Sequence, residues 1–149
     1  MRFWITAIIL LFLDQVSKLA VRSCMSPGES VPVLQGVVSL TYVQNRGAAF
    51  GFFQGQKAFL LVCAVLVVGA AIYLNRSSRL PGAVQILTGL VAGGALGNLI
   101  DRFNSGYVVD FIDLGWWPVF NIADSAICCA VVLTLIYTYR EGKSGMDDG

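Results

Sequence analysis

Four runs of this chain, residues 4–21, 58–74, 83–100 and 122–139, are apolar over the length a helix needs to cross a bilayer. Lipid offers no hydrogen bonds to an open backbone, so each run has to be helical. That predicts an all-α membrane protein of four transmembrane helices. Charged residues make up 13% of the chain, about half the level of a soluble domain. The mean hydropathy of +0.73 agrees. The formal net charge of +1 decides nothing, but ten basic residues without a cluster argue against nucleic acid as a partner.

The segment between the first two runs, residues 23–56, has no stretch apolar enough to span. SPGESVPVLQG is rich in turn residues, and VVSLTYVQ after it is dense in β-branched and aromatic residues, which predicts strand. We expect a small sheet at the membrane surface, with Phe50, Phe52 and Phe53 dipping into the interface. Asn45 and Gly47 stand where that strand must turn, and on spacing alone Asn45 is a turn residue. The chain reads as one domain, 1–149, with no internal repeat.

Four spans put both termini on one side. Arg2, Arg76, Arg79, Arg140 and Lys143 flank that side more densely than Arg22, Arg46, Lys57 and Arg102 flank the other. The positive-inside rule then places the termini in the cytoplasm. The sheet and the loop from Arg102 to Phe120 face outward, and Trp116 and Trp117 suit an interfacial belt. The polar tail REGKSGMDDG is expected to be disordered.

Histidine is absent, which removes histidine-based triads and histidine metal sites. Of the four cysteines, Cys63, Cys128 and Cys129 lie in apolar runs and are expected to pack as small hydrophobes. Cys24 has no evident partner, and no disulfide is expected. The remaining chemistry belongs to carboxylates. Acids beside membrane-length apolar runs are costly and are functional candidates for that reason. Four of the nine, Asp101, Asp110, Asp113 and Asp124, fall between Gly89 and Asp124.

Asp14 and Lys18 share a helix face in the first run, four residues apart. The pair reads equally as a salt bridge near the end of the span and as a clamp that orients a site. Gly89, Gly93 and Gly97 recur every fourth residue and make a close-packing face. That face brings a neighbouring backbone near Asn98, Asp101 and Arg102, a polar cluster that orders the loop or holds substrate. Asp110 lies between Val109 and Phe111, a desolvating setting; Asp113 is nearer a turn, and the residues alone do not exclude it. Asn121 suits a helix N-cap and Asp124 a first-turn acid, though Ile122, Ala123, Ala126 and Ile127 make the surroundings of Asp124 apolar. Two carboxylates facing one cleft share a proton, because both cannot ionise at close range. Such a pair can hydrolyse an amide without histidine, metal or cofactor.

Five motifs in order then acquire a meaning together. LDQVSK, YVQNRGAAFG, GGALGNLIDR, VVDF and FNIAD resemble the signatures of the bacterial lipoprotein signal peptidases, and the likeness covers nearly the whole chain. The resemblance implies a catalytic dyad of Asp110 and Asp124 and makes Asp113 a bystander. It implies supporting or substrate-binding roles for Asp14, Lys18, Asn45, Gly47, Asn98, Asp101, Arg102 and Asn121. It implies a substrate too: a prolipoprotein carrying diacylglyceryl on its lipobox cysteine, cut just before that cysteine. Membrane lipid and globomycin-like inhibitors follow as partners, the bacterial cell membrane as location, and no cofactor or metal is required. One departure is that the segment between VVDF and FNIAD, IDLGWWPV, is too short to build a long lid. Two rivals remain. A transporter would need polar groups near the midplane of several helices. A membrane chaperone would tolerate loss of either aspartate.

Overall fold

The computed structural model describes residues 1–48, 52–77 and 80–147. Phe50 and Arg79, which bear on the interface and orientation arguments, lie outside them. Four helices, α1 (Arg2–Cys24), α2 (Lys57–Ser77), α3 (Gly82–Ser105) and α4 (Ile122–Asp147), carry a sheet of β1 (Ser30–Leu34), β2 (Val38–Asn45) and β3 (Val108–Asp113). Each helix is long and apolar enough to cross a membrane, with mean hydropathies of 1.7, 2.4, 1.6 and 1.8 in chain order.

α3 is the centre of the bundle because glycine leaves room for its neighbours. A Cβ at Gly89 would lie 2.7 Å from the Phe3 carbonyl oxygen, and one at Gly93 2.7 Å from that of Ala7. On α1 the buried positions Phe3, Ala7, Leu10, Asp14, Lys18 and Val21 recur every three or four residues, so one stripe meets the glycine face. A Cβ at Gly94, on another side of α3, would meet the Ala123 carbonyl oxygen of α4 at 2.8 Å. The glycine face expected from sequence therefore meets α1, and Gly94 makes a separate close contact with α4. α2 contributes Ala71 to a core with Phe3, Ala7 and Ala92. Leu60 and Val68 are also buried, whereas Val62, Leu66 and Tyr73 are exposed, as lipid-facing residues would be.

Every helix runs past its expected span, and three differences stand out. α3 runs to Ser105 rather than 100, so Asp101 and Arg102 are helical. α4 continues through Asp147, where a disordered tail was expected. The loop after Arg102 contains β3, the third strand of the sheet, paired antiparallel to β2 in the order β1-β2-β3. The strand forms because Gly106, at φ +80°, ends α3 in the left-handed conformation that glycine adopts freely. The alternating residues Val109 and Phe111 then pack with Val21 and Tyr42. Sequence could not supply the partner strand, which lies more than sixty residues upstream.

After β3 the chain reverses at once. The N–H groups of Phe111 and Ile112 donate to the Phe120 carbonyl oxygen at 3.0 and 2.8 Å, and Phe120 N–H donates to the Ile112 carbonyl oxygen at 3.1 Å. This closure sets Asn121, the residue before α4, beside the strand that bears Asp110. Two cysteines differ from expectation as well: Cys128 and Cys129 are exposed on α4 rather than packed.

Candidate active site

Asp110 and Asp124 line the same cleft of about 1260 Å³, together with Asn45, Asn98, Arg102 and Ser125. The strand delivers Asp110 and the first turn of α4 delivers Asp124. Two amides connect them. Asn121 Nδ2 donates to Asp110 Oδ1 at 2.7 Å, and its Oδ1 accepts from the Asp124 N–H at 2.9 Å, which is the expected N-cap. Asn98 Nδ2 donates to Asp124 Oδ1 at 2.8 Å, and its Oδ1 accepts from Asn121 Nδ2 at 3.2 Å.

Asn45 has two duties. Its Oδ1 accepts from the Gly47 N–H at 2.9 Å, the expected turn, and its Nδ2 donates to Asp110 Oδ2 at 2.9 Å. Register explains the second contact. Val43 opposes Asp110, and Asn45 stands two residues along on the same face, a diagonal neighbour. Gly47 takes part through its backbone, its carbonyl oxygen accepting from Arg102 Nη2 at 2.9 Å.

Asp110 is 2% exposed. Burial pushes its carboxyl up to about 7, and the neighbouring Asp124 carboxylate adds to the rise; the Asn45 and Asn121 amides and Lys18 oppose it. A carboxyl poised near neutrality suits acid–base work. Asp113, three residues on, points the other way because strand side chains alternate. Its Oδ2 accepts from Thr41 Oγ1 at 2.7 Å and its Oδ1 from the Gly115 N–H at 2.8 Å. Those bonds hold it below the usual carboxylate range.

The cluster Asn98, Asp101 and Arg102 divides. Asn98 faces α4 and Arg102 faces the turn after β2, whereas Asp101 faces α1 and is absent from the cleft lining. Asp101 Oδ2 accepts from the Val109 N–H at 3.2 Å, so it anchors the strand one residue before Asp110. Asp14 and Lys18 are both salt bridge and clamp. Lys18 Nζ is 2.8 Å from Asp14 Oδ2 and 3.1 Å from Asp101 Oδ2. Asp14 Oδ1 accepts from the Ala123 N–H at 3.0 Å, capping α4 from across the bundle.

Two contributors escaped the sequence reading. Arg22 Nη2 reaches Asp101 Oδ1 at 3.1 Å and Ser105 Oγ at 3.2 Å. Gln15 Nε2 donates to the Gly97 carbonyl oxygen at 3.2 Å. Arg22 was detectable, since it continues the four-residue spacing of Asp14 and Lys18. Trp116 and Trp117 pack edge to face, with centroids 5.7 Å apart, on the cleft wall. Phe52 and Phe53 are exposed, as an interfacial position requires. Among the described residues no cluster of His, Cys, Asp and Glu could hold a metal ion.

The sequence model of the Signal peptidase (SPase) II family matches residues 6–140. The lipoprotein signal peptidase of Syntrophomonas wolfei is 50% identical over 143 residues, covering 96% of each chain. That of Streptococcus pyogenes is 42% identical over 146 residues, again covering 96% of each. A bacterial membrane enzyme solved in meso at 2.3 Å superposes with a TM-score of 0.88 at 32% identity, over 94% of this chain and 88% of that one. A second, solved at 1.9 Å, gives a TM-score of 0.83 at 33% identity and covers 90% of each.

Proposed function

This chain belongs to the signal peptidase II family, and from that premise we propose that Asp110 and Asp124 are the catalytic pair of a lipoprotein signal peptidase. The enzyme is an aspartyl-type hydrolase of lipoprotein precursors in the bacterial membrane. The single observation that carries the assignment is the amide-bridged pair of carboxylates in one large cleft. The transporter reading loses ground here, because the polar groups gather at the sheet end of the bundle.

The chemistry follows from a shared proton. The ionised member of the pair takes a proton from water, and the hydroxyl attacks the scissile carbonyl carbon. The protonated member gives its proton to the carbonyl oxygen, so the tetrahedral adduct forms without a build-up of charge. On collapse the member that took the water proton gives it to the departing amine, the C–N bond breaks, and the other member takes back the hydroxyl proton as the carbonyl re-forms. Asn45, Asn98 and Asn121 hold the carboxylates in register for both steps. Pre-positioning of this kind removes much of the entropic barrier.

The substrate is a prolipoprotein with diacylglyceryl on its lipobox cysteine, cut just before that residue. Its acyl chains and signal peptide reach the cleft from the membrane plane. The apolar wall formed by Val108, Phe120, Ile127 and Trp117 suits them. Arg102, by holding the Gly47 carbonyl oxygen, keeps the turn after β2 over the site. Globomycin-like cyclic peptides compete for the same cleft. The termini lie in the cytoplasm and the sheet outside, and the whole chain acts as one peptidase unit.

The test is cleavage of a purified diacylglyceryl-modified prolipoprotein in detergent. Asp110→Asn and Asp124→Asn nearly preserve volume and remove the ionisable proton. Each should lose activity by at least roughly 10²–10⁴-fold while remaining folded. Asp113→Asn should stay within about twofold of the parent, as distant polar substitutions do. Near-normal cleavage by folded Asp110→Asn or Asp124→Asn protein would eliminate the mechanism and return the chaperone reading.

A further inference from the structure

Lys18 is 1% exposed and does not line the cleft, yet its ammonium is one residue removed from the proposed dyad. Nζ donates to Asn98 Oδ1 at 2.9 Å, and the same amide donates through Nδ2 to Asp124 Oδ1 at 2.8 Å. We propose that Lys18 is a positioning residue for catalysis: it fixes which way the Asn98 amide faces and thereby presents an N–H to Asp124.

The argument rests on donor and acceptor inventory. An asparagine amide is nearly symmetric in shape and can sit either way round. An ammonium only donates, so the atom against Lys18 has to be the amide oxygen. The nitrogen then necessarily faces Asp124. Turned over, the amide would set N–H against N–H at Lys18 and oxygen against oxygen at Asp124. Asn121 Nδ2 also donates to Asn98 Oδ1, but at 3.2 Å. Its two hydrogens are divided among that oxygen, Asp110 Oδ1 at 2.7 Å and the Val109 carbonyl oxygen at 3.4 Å. Lys18 makes the shorter bond, and a charged donor makes it about twice as strong as a neutral one.

The ammonium is itself immobilised. Asp14 at 2.8 Å and Asp101 at 3.1 Å hold it from two helices, and Arg22 balances the second carboxylate of the group. An unpaired ammonium at this depth would be costly, whereas this one is fully coordinated. Asp14 and Asp101 thereby acquire a common purpose: they fix the cation that fixes Asn98.

The inference rests on Asp110 and Asp124 being the dyad, and the experiment separates the two ideas. Lys18→Met keeps most of the volume and removes the donor. In the detergent cleavage assay its kcat should fall roughly tenfold to a hundredfold, the value of one hydrogen bond to a charged group. KM should stay near that of the parent, since Lys18 has no place on the cleft wall. The relay is tested by a double-mutant cycle. If Lys18 acts through Asn98, Lys18→Met combined with Asn98→Ala is no slower than Asn98→Ala alone. Fully additive losses, or unchanged kcat in Lys18→Met while Asp124→Asn is dead, would overturn the proposal and leave the dyad standing. Active Asp124→Asn would instead remove the dyad itself. Should Lys18→Met not fold, Asn98→Leu reads the last link. It is close in volume but offers Asp124 no hydrogen to accept, so folded protein must lose turnover; retained turnover counts against the relay.

Discussion

Asn121 caps the helix that carries Asp124 and, with the same side chain, donates to Asp110 at 2.7 Å. One residue therefore sets the separation between a strand carboxylate and a helix carboxylate. The arrangement has consequences for pH, for the buried ion network and for the glycine face.

Asp110 is held up to about 7, chiefly by burial and then by Asp124. An unfolded chain releases this proton at about 3.9. Between those values the folded protein binds the extra proton, so stability falls as pH rises from about 4 to about 7 and is level beyond. Thermal unfolding in detergent should therefore occur at lower temperature at pH 8 than at pH 5, and Asp110→Asn should lessen the difference. Turnover needs one proton in the pair and should decline on the alkaline side of neutrality, at a midpoint that belongs to the pair. Activity still rising at pH 9 would contradict this.

Asp14 is fully buried, 2.8 Å from Lys18 and 3.0 Å from the Ala123 N–H. Asp14→Ala strands part of a buried charge and uncaps α4. Breaking one side of such a pair typically costs about 3–5 kcal/mol. Thermal unfolding of the purified variant should show a large drop, accompanied by loss of cleavage. Unchanged stability and turnover would make the pair ornamental.

A Cβ at Gly97 would collide with the Asp14 carboxylate, which its ion pair prevents from moving aside. Gly97→Ala should destabilise by about 1–3 kcal/mol, as overpacking does. Gly69 on α2 has nothing within 4 Å of the same atom. Gly69→Ala should be neutral, or more stable by up to about 1 kcal/mol through helix propensity. Thermal unfolding of the two variants side by side gives the contrast, and equal shifts would refute the packing argument.

The orientation rests on basic residues at one end of the bundle. A reporter fused after Gly82 should read cytoplasmic, and one inserted near Gly28 external. The reverse pattern would put the dyad on the cytoplasmic side, away from translocated precursors.

The chain by itself determined what depends on neighbours in sequence. Apolar length fixed four spans, a four-residue glycine period fixed a packing face, and Asn121 three residues before Asp124 fixed an N-cap. The aspartates were visible as candidates for the same reason, an acid being costly beside a run of apolar residues. Tertiary structure decided everything that depends on residues far apart. β3 exists because Val43 finds Asp110 across the sheet. Asp101 left the proposed cluster for α1, and Lys18 reached Asn98 across eighty residues. The residues alone favoured Asp110 without excluding Asp113; the strand's alternation turned one into the cleft and the other towards Thr41. Hydropathy and capping are local free energies that a short window records. Hydrogen-bond partners in a bundle are selected by which backbones the glycines allow to meet, and no window of the sequence contains both sides of that contact.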